Sequence, residues 1–290
     1  MKNKMKAVAF VLCIIMLACF SGCNKNQGAT ESTTAAPVTT APTEAATAAT
    51  EATTAATESE ESTAYDFTSI GLSETLYLEA EEGKEGTVVL CEADINFPHI
   101  EGDDENVMNI NSFYENVLEE QTIFFREEFY TMANDSYEFA KENESEYIEF
   151  FMQSDFWVAC TDEKLFSVVR SHSEYDGGNS AHTTLASETF NKETGSMMEL
   201  SEFFSVEQSE YKDRLVKIMV EQAKEKSDLF ENYDQLIAET FAERDFYIHK
   251  DEQTGEMFLV IVYQPYSIAP NSTGIVDFFI SMEEIADILK

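Results

Sequence analysis

The sequence predicts an α+β domain in which an antiparallel β-sheet packs against a long amphipathic helix and a second helix. Three observations carry that reading. Short runs rich in Phe, Val, Ile and Thr come in pairs joined by turn residues, the pattern of hairpins. Between about 105 and 142 apolar residues recur at three- and four-residue steps, the period of one helix face. No strand–helix–strand rhythm is present, which argues against an all-parallel sheet.

In chain order, Thr75–Ala80 alternates weakly and meets the turn Glu82-Gly83-Lys84-Glu85-Gly86. Thr87–Phe97 follows as a second strand, ended by Pro98, so the pair reads as a hairpin. Asp103-Asp104-Glu105 places negative charge where helix dipoles favour it. Ile110, Tyr114, Val117, Gln121, Phe125, Phe129, Ala133, Tyr137 and Ala140 then form the stripe of a helix over about 105–142, with a break near Asn134. Aromatic residues at this spacing are read as core, not as a ligand groove. Tyr147–Cys160 and Leu165–Tyr175 form a hairpin around Thr161-Asp162-Glu163-Lys164. Trp157, in its first arm, is expected in the core.

Tyr175-Asp176-Gly177-Gly178-Asn179-Ser180 turns the chain into a strand at His182–Asn191, which closes at Lys192-Glu193-Thr194-Gly195. Ser205 with Gln208 gives a capping-box pattern ahead of a second helix that runs to about Lys226, its inner face built from Tyr211, Leu215, Ile218, Met219 and Gln222. A short helix is expected near 233–242. Asp245–His249 and Glu256–Tyr263 form the last hairpin. Met257–Tyr263 is apolar throughout, as in a central strand covered on both faces. Ile275–Ile280 closes the sheet, and Ser281 with Glu284 predicts a terminal helix to Leu289.

Ahead of this folded part, 65–290, lie two segments of other character. A basic n-region, an apolar run from Ala7 to Phe20 and the motif Phe20-Ser21-Gly22-Cys23 read as a lipoprotein signal peptide over 1–23, with Cys23 as the acylated residue. Residues 24–64 are almost entirely Thr, Ala, Glu, Ser and Pro. They cannot bury enough surface to offset the entropy of ordering, so they are expected to be a disordered linker reaching about 35 Å. The expected location is the extracytoplasmic face of the cell membrane, reached only through the lipid.

The formal net charge is −38, which disfavours nucleic acid and anionic headgroups and favours basic partners. Two of the five cysteines, Cys13 and Cys19, lie in the leader, and Cys23 is the one expected to carry lipid. Cys91 and Cys160 remain, as a disulfide or as two buried thiols; their spacing fits no metal motif.

A run of motifs occurs in a fixed order. It comprises Asp94-Ile95-Asn96-Phe97-Pro98, Tyr175-Asp176-Gly177-Gly178 with Ala181-His182, Phe190-Asn191-Lys192-Glu193-Thr194-Gly195, Phe203-Phe204, and Phe246-Tyr247-Ile248 with Pro265-Tyr266-Ser267-Ile268-Ala269-Pro270. That order resembles the paired DUF4163/DUF3298 module, with about 75–175 similar to the first and about 176–290 to the second. The module occurs in lysozyme-sensing anti-sigma factors, beside peptidoglycan deacetylases and in many bacterial lipoproteins. The resemblance implies a binding module of the cell envelope whose partner is a basic muramidase or a wall glycan. This chain carries Asn179-Ser180 between the glycines and Ala181, two residues more than the family's usual pattern.

No Gly-x-Ser-x-Gly, His-Glu-x-x-His or phosphate-cradling loop is present, so no catalytic residue, metal or cofactor is assigned. The candidate binding residues are Tyr175, Asp176, Gly177, Gly178, His182 and Tyr266. Glycines let a ligand approach the backbone, His182 could exchange protons, and Tyr266 between two prolines could stack on a sugar. The bland reading has the glycines serving a strand connection and Tyr266 packing a rigid loop. His172 and His99 are read as isolated. The leading expectation is a lipid-anchored binding module that engages a basic protein or a wall glycan. The alternative is a hydrolase or deacetylase acting on peptidoglycan through His182 and nearby carboxylates.

Overall fold

The computed structural model describes residues 65–78 and 88–290. The leader with Cys23, the linker 24–64 and the turn Glu82–Gly86 lie outside the described residues.

Among the described residues nine strands form two sheets. The larger contains β1 (Phe67–Tyr77), β2 (Val89–Ile100), β3 (Phe150–Thr161), β4 (Leu165–Tyr175), β5 (His182–Asn191) and the two-residue β6 (Ser196–Met197), in that spatial order. The smaller contains β7 (Phe246–Lys250), β8 (Met257–Tyr263) and β9 (Val276–Ser281), with β8 central as its unbroken apolar run predicts. The fold is α+β, and among the described residues every strand pair but one is antiparallel. The exception is β2–β3, which runs parallel over Cys91–Ile95 and Phe150–Ser154. Here the long helix acts as a crossover connection, so the chain contains one strand–helix–strand unit that the sequence reading did not foresee.

That helix comprises α1 (Glu105–Phe124), a π-turn (Phe125–Phe129) and α2 (Tyr130–Glu142). The irregularity lies at the π-turn and not near Asn134, which is inside α2. Ile110, Tyr114, Phe125, Phe129 and Ala133 are fully buried against Ile95, Phe97, Phe150 and Val168 of the larger sheet. Beneath α1, Arg170 and Glu188 form a buried ion pair, with Arg170 Nε 3.0 and 3.1 Å from the two Glu188 carboxylate oxygens and the guanidinium 5.2 Å from the Phe97 ring. The buried Asn111 side chain both accepts from Ile100 N–H (2.8 Å) and donates to Ile100 C=O (2.9 Å), fixing helix to sheet.

The smaller sheet has two covered faces. One packs on α3 (Gln208–Ala223) and α4 (Tyr233–Glu239), burying Tyr211, Leu215, Met219, Ile237, Leu259 and Phe278. The other meets the larger sheet, with Tyr247, Val260 and Val262 against Ala159 and Val169. This second contact covers only part of the larger sheet's face away from α1.

Several local expectations are corrected by tertiary contacts. β1 starts eight residues earlier than its alternation suggests, and β2 runs through Pro98 to Ile100. Pro98 is tolerated because β3 has left β2 by then, so among the described residues the strand has a neighbour on one side only. Ser205 does not cap α3; its hydroxyl and N–H both donate to Ile288 C=O, and Glu207 takes the N-cap position. A capping box does form one element earlier, between Glu199 and Glu202. The terminal helix is absent. Instead, Leu289 bridges Phe204 and Lys290 N–H donates to Phe203 C=O, so the chain end pairs with the 203–205 segment in place of winding.

Trp157 is 43% exposed and is not core. It lies in register with Val169, on the sheet face away from α1. Cys91 and Cys160 are free thiols buried in different cores. Burial pushes Cys91 up to about 11 and Cys160 up to about 12.

Candidate functional site

The connection from β4 to β5 holds most of the sequence candidates. Asp176 Oδ1 accepts from Gly178 N–H at 3.3 Å, closing the turn locally. Gly177 has φ +87°, and a Cβ there would stand 2.9 Å from Cε1 of the buried Phe150. Gly177 is therefore demanded by backbone and core together, as the bland reading holds. Tyr175 stacks on Phe151 with ring centroids 6.0 Å apart and 21° between planes, and meets Phe150 edge-on.

His182 is exposed at the start of β5, in register with Glu174. The Glu174 carboxyl is held below its ordinary range, first by its hydrogen bond with His172, against the opposing effect of burial, and then by the charges of His172 and His182. His172 is not isolated. Its Nε2 lies 3.4 Å from Glu174 Oε2, and its Nδ1 lies 2.8 Å from Ser154 Oγ, which also donates to Gln121 of α1 at 3.2 Å. The sequence signal was available: His172 and Glu174 are two apart on one strand and so share a face. The contact order Ser–His–Glu resembles that of a nucleophile and its base, but Ser154 is 1% exposed. Buried beneath α1, it ties helix to sheet and offers no approach to a substrate.

Tyr266 is placed differently from every other candidate. Gln264-Pro265-Tyr266-Ser267 is a tight turn closed by Ser267 N–H to Gln264 C=O at 3.0 Å. Its third residue has φ +70°, where a turn of this kind normally uses glycine. A tyrosine there is strained, and its ring is 70% exposed. The Gln264 side chain anchors the turn to the free edge of β5, accepting from Leu185 N–H (3.1 Å) and donating to Leu185 C=O (2.8 Å). Leu185 stands in register with Ser171 and, through it, with Asp155.

These residues border a surface that the sequence reading missed. On the sheet face away from α1, in-register rows cross the strands, such as Asp94–Gln153–Ser173–Thr183 and Glu92–Phe151–Tyr175. The smaller sheet covers Ala159 and Val169 and leaves these rows open. Two openings lie along them. One, of about 360 Å³, is lined by Glu74, Glu92, Asp94, Phe151 and Gln153 among others. The second, of about 460 Å³, arises where β2 and β3 part after Ile95 and Ser154, and is lined by Phe67, Asn96, Asp155, Phe156 and Trp157 with Thr68, Ser69 and Val158. Neither lining includes a lysine or arginine. The face is thus an aromatic and acidic one, suited to recognition through stacking and charge. No group of three or more His, Cys, Asp or Glu is arranged to hold a metal among the described residues.

Comparison with known proteins gives a family match for the C-terminal part and a likeness of fold. Residues 201–283 match the family described as Protein of unknown function (DUF3298). No curated protein matches the sequence. A member of the DUF3298 family from Bacteroides fragilis is similar in structure, with 17% identity and a TM-score of 0.57 over 79% of this chain and 95% of its own. A DUF3298 family protein from Pseudomonas aeruginosa shows 14% identity and a TM-score of 0.49 over 78% of this chain and 95% of its own. The likeness to the first is one of fold. The family match begins after β6 and takes in α3, α4 and the three strands of the smaller sheet, including the turn that presents Tyr266. Residues 201–283 are thus similar to the DUF3298 family, and the rest of the chain lies outside that match.

Proposed function

We propose that this chain is a lipid-anchored, extracytoplasmic binding module of the bacterial cell envelope that engages a basic protein of the muramidase type. The observation that carries the reading is the open sheet face, on which Glu92, Asp94 and Asp155 stand among exposed Phe151 and Trp157 and half-buried Tyr175. Such a face attracts a cationic surface, steers its approach and supplies flat rings for contact. The chain's excess of 56 acidic over 18 basic residues adds a long-range field of the same sign. Anchoring through Cys23 rests on the leader motif, and a Cys23→Ser variant should leave the membrane fraction.

Titration of the full chain with hen lysozyme, and separately with muropeptides, tests the reading. Saturable binding of lysozyme that weakens with salt is expected; binding of muropeptides alone, or of neither, removes it. A second reading, a peptidoglycan hydrolase or deacetylase, draws on the carboxylate of Glu174 between His172 and His182. It requires turnover of peptidoglycan by the parent chain that His182→Ala abolishes.

A further inference from the structure

The opening between the diverging ends of β2 and β3 has a composition that asks for a particular guest. β2 and β3 are paired only to Ile95 and Ser154, yet β2 continues to Ile100 and β3 to Thr161. Past that point neither strand has a strand partner among the described residues on the side facing the gap. Asp155 Oδ1 turns back to accept from Phe156 N–H at 2.8 Å, a local substitute for the lost ladder. The rings of Phe67 and Trp157, 42% and 43% exposed, flank the gap, and Phe67 meets Phe156 edge-on at 6.1 Å. The lining therefore offers aromatic faces, one carboxylate and no compensating cation.

We infer that this opening is a receptor for a lysine or arginine side chain projecting from an extended segment of a basic protein. Ring faces are negative at their centres, and a carboxylate beside them completes the electrostatic match to an ammonium or guanidinium group. The diverging strand edges supply main-chain donors and acceptors for the segment that carries the cation. A neutral sugar could stack on the same rings but would leave the charge of Asp155 without a complement. Anionic wall polymers would be repelled by Asp155 and by the neighbouring Glu92 and Asp94. The inference rests on the basic-partner reading above and locates the contact within it.

Trp157 is the only tryptophan of the chain, so its emission reports on this opening alone. The full chain is titrated with hexa-arginine, hexaglutamine and chitotetraose, following tryptophan emission, and with lysozyme by calorimetry. A saturable emission change with hexa-arginine only is expected, and Asp155→Asn, checked for fold by circular dichroism, should weaken it about tenfold. Asn keeps the oxygen that accepts from Phe156 N–H, so the variant removes charge and little else. No emission change with hexa-arginine, or a change with chitotetraose instead, overturns the inference. If lysozyme binds parent and Asp155→Asn equally, the opening is not the contact, while the basic-partner reading stands. If hexa-arginine acts on Trp157 and lysozyme does not bind, the cation site stands and the muramidase-type partner falls.

Discussion

Adjacent glycines in the β4–β5 connection should respond very unequally to the same substitution. At Gly177, φ is +87°, so an alanine incurs about 1 kcal/mol from the left-handed backbone alone. Its Cβ would also stand 2.9 Å from Phe150 Cε1 and 3.2 Å from Cζ. Phe150 cannot yield freely, because its ring lies against Phe129, Tyr147 and Tyr175 at centroid distances of 5.5, 6.2 and 6.3 Å. Overpacking of this kind adds about 1–3 kcal/mol. Gly177→Ala should therefore lose about 2–4 kcal/mol, a fall in Tm of roughly 5–12 °C for a domain of this size. Gly178 has no such demand: the nearest atom to an added Cβ is Asp176 Oδ1 at 3.3 Å, on a side chain free to shift. Gly178→Ala should stay within about 0.5 kcal/mol of the parent. Thermal and urea unfolding followed by circular dichroism measures both. Equal stability of parent and Gly177→Ala would refute the reasoning, as would equal damage at Gly178; either would return these glycines to a role in ligand approach.

Further expectations concern the buried groups. Arg170→Met should cost about 3–5 kcal/mol by leaving Glu188 charged and buried, while Arg170→Met with Glu188→Leu should recover most of it in urea melts. Glu174 has its folded-state value held below the ordinary 4.5, so its contribution is present above that pH and lost as pH falls through the lowered value. The stability difference between parent and Glu174→Gln should accordingly be largest near neutrality and vanish in acid; a difference that grows in acid would reverse the sign. Cys91 and Cys160, pushed up to about 11 and about 12, should resist a thiol-specific disulfide reagent at pH 8 until denaturant is added. Rapid labelling of the native chain would contradict their burial.

Where neighbours in sequence are neighbours in space, the sequence spoke clearly. β4 and β5 begin and end at the residues their alternation and turn signals mark, Leu165–Tyr175 and His182–Asn191. The π-turn was legible in retrospect. From Val117 to Tyr137 the stripe advances in five successive four-residue steps, and each step overshoots a full turn by about 40° in a 3.6-residue helix. An inserted wide turn at Phe125–Phe129 keeps Phe125, Phe129 and Ala133 on the sheet. What local pattern does not encode is which strand meets which. The parallel β2–β3 pair joins residues 59 apart in sequence, and its early end creates the opening beside Trp157. Trp157 looks like core by residue type. Its exposure is set by packing between distant parts of the chain, which residue type does not encode. The flanking prolines mark Tyr266 in the sequence, but its positive φ emerges only from the folded turn.

Charge-driven recognition of a basic protein is the core of this account, and the salt dependence of lysozyme affinity addresses it directly. With the full chain titrated at 0.05 and 0.5 M salt, which shortens the screening length to a few ångströms, affinity should fall about tenfold or more. The combined change of Glu92, Asp94 and Asp155 to their amides should lower affinity at low salt and flatten that dependence. Affinity that holds across the salt series, or that survives removal of the three charges, would show that the open face is not where this protein meets its partner.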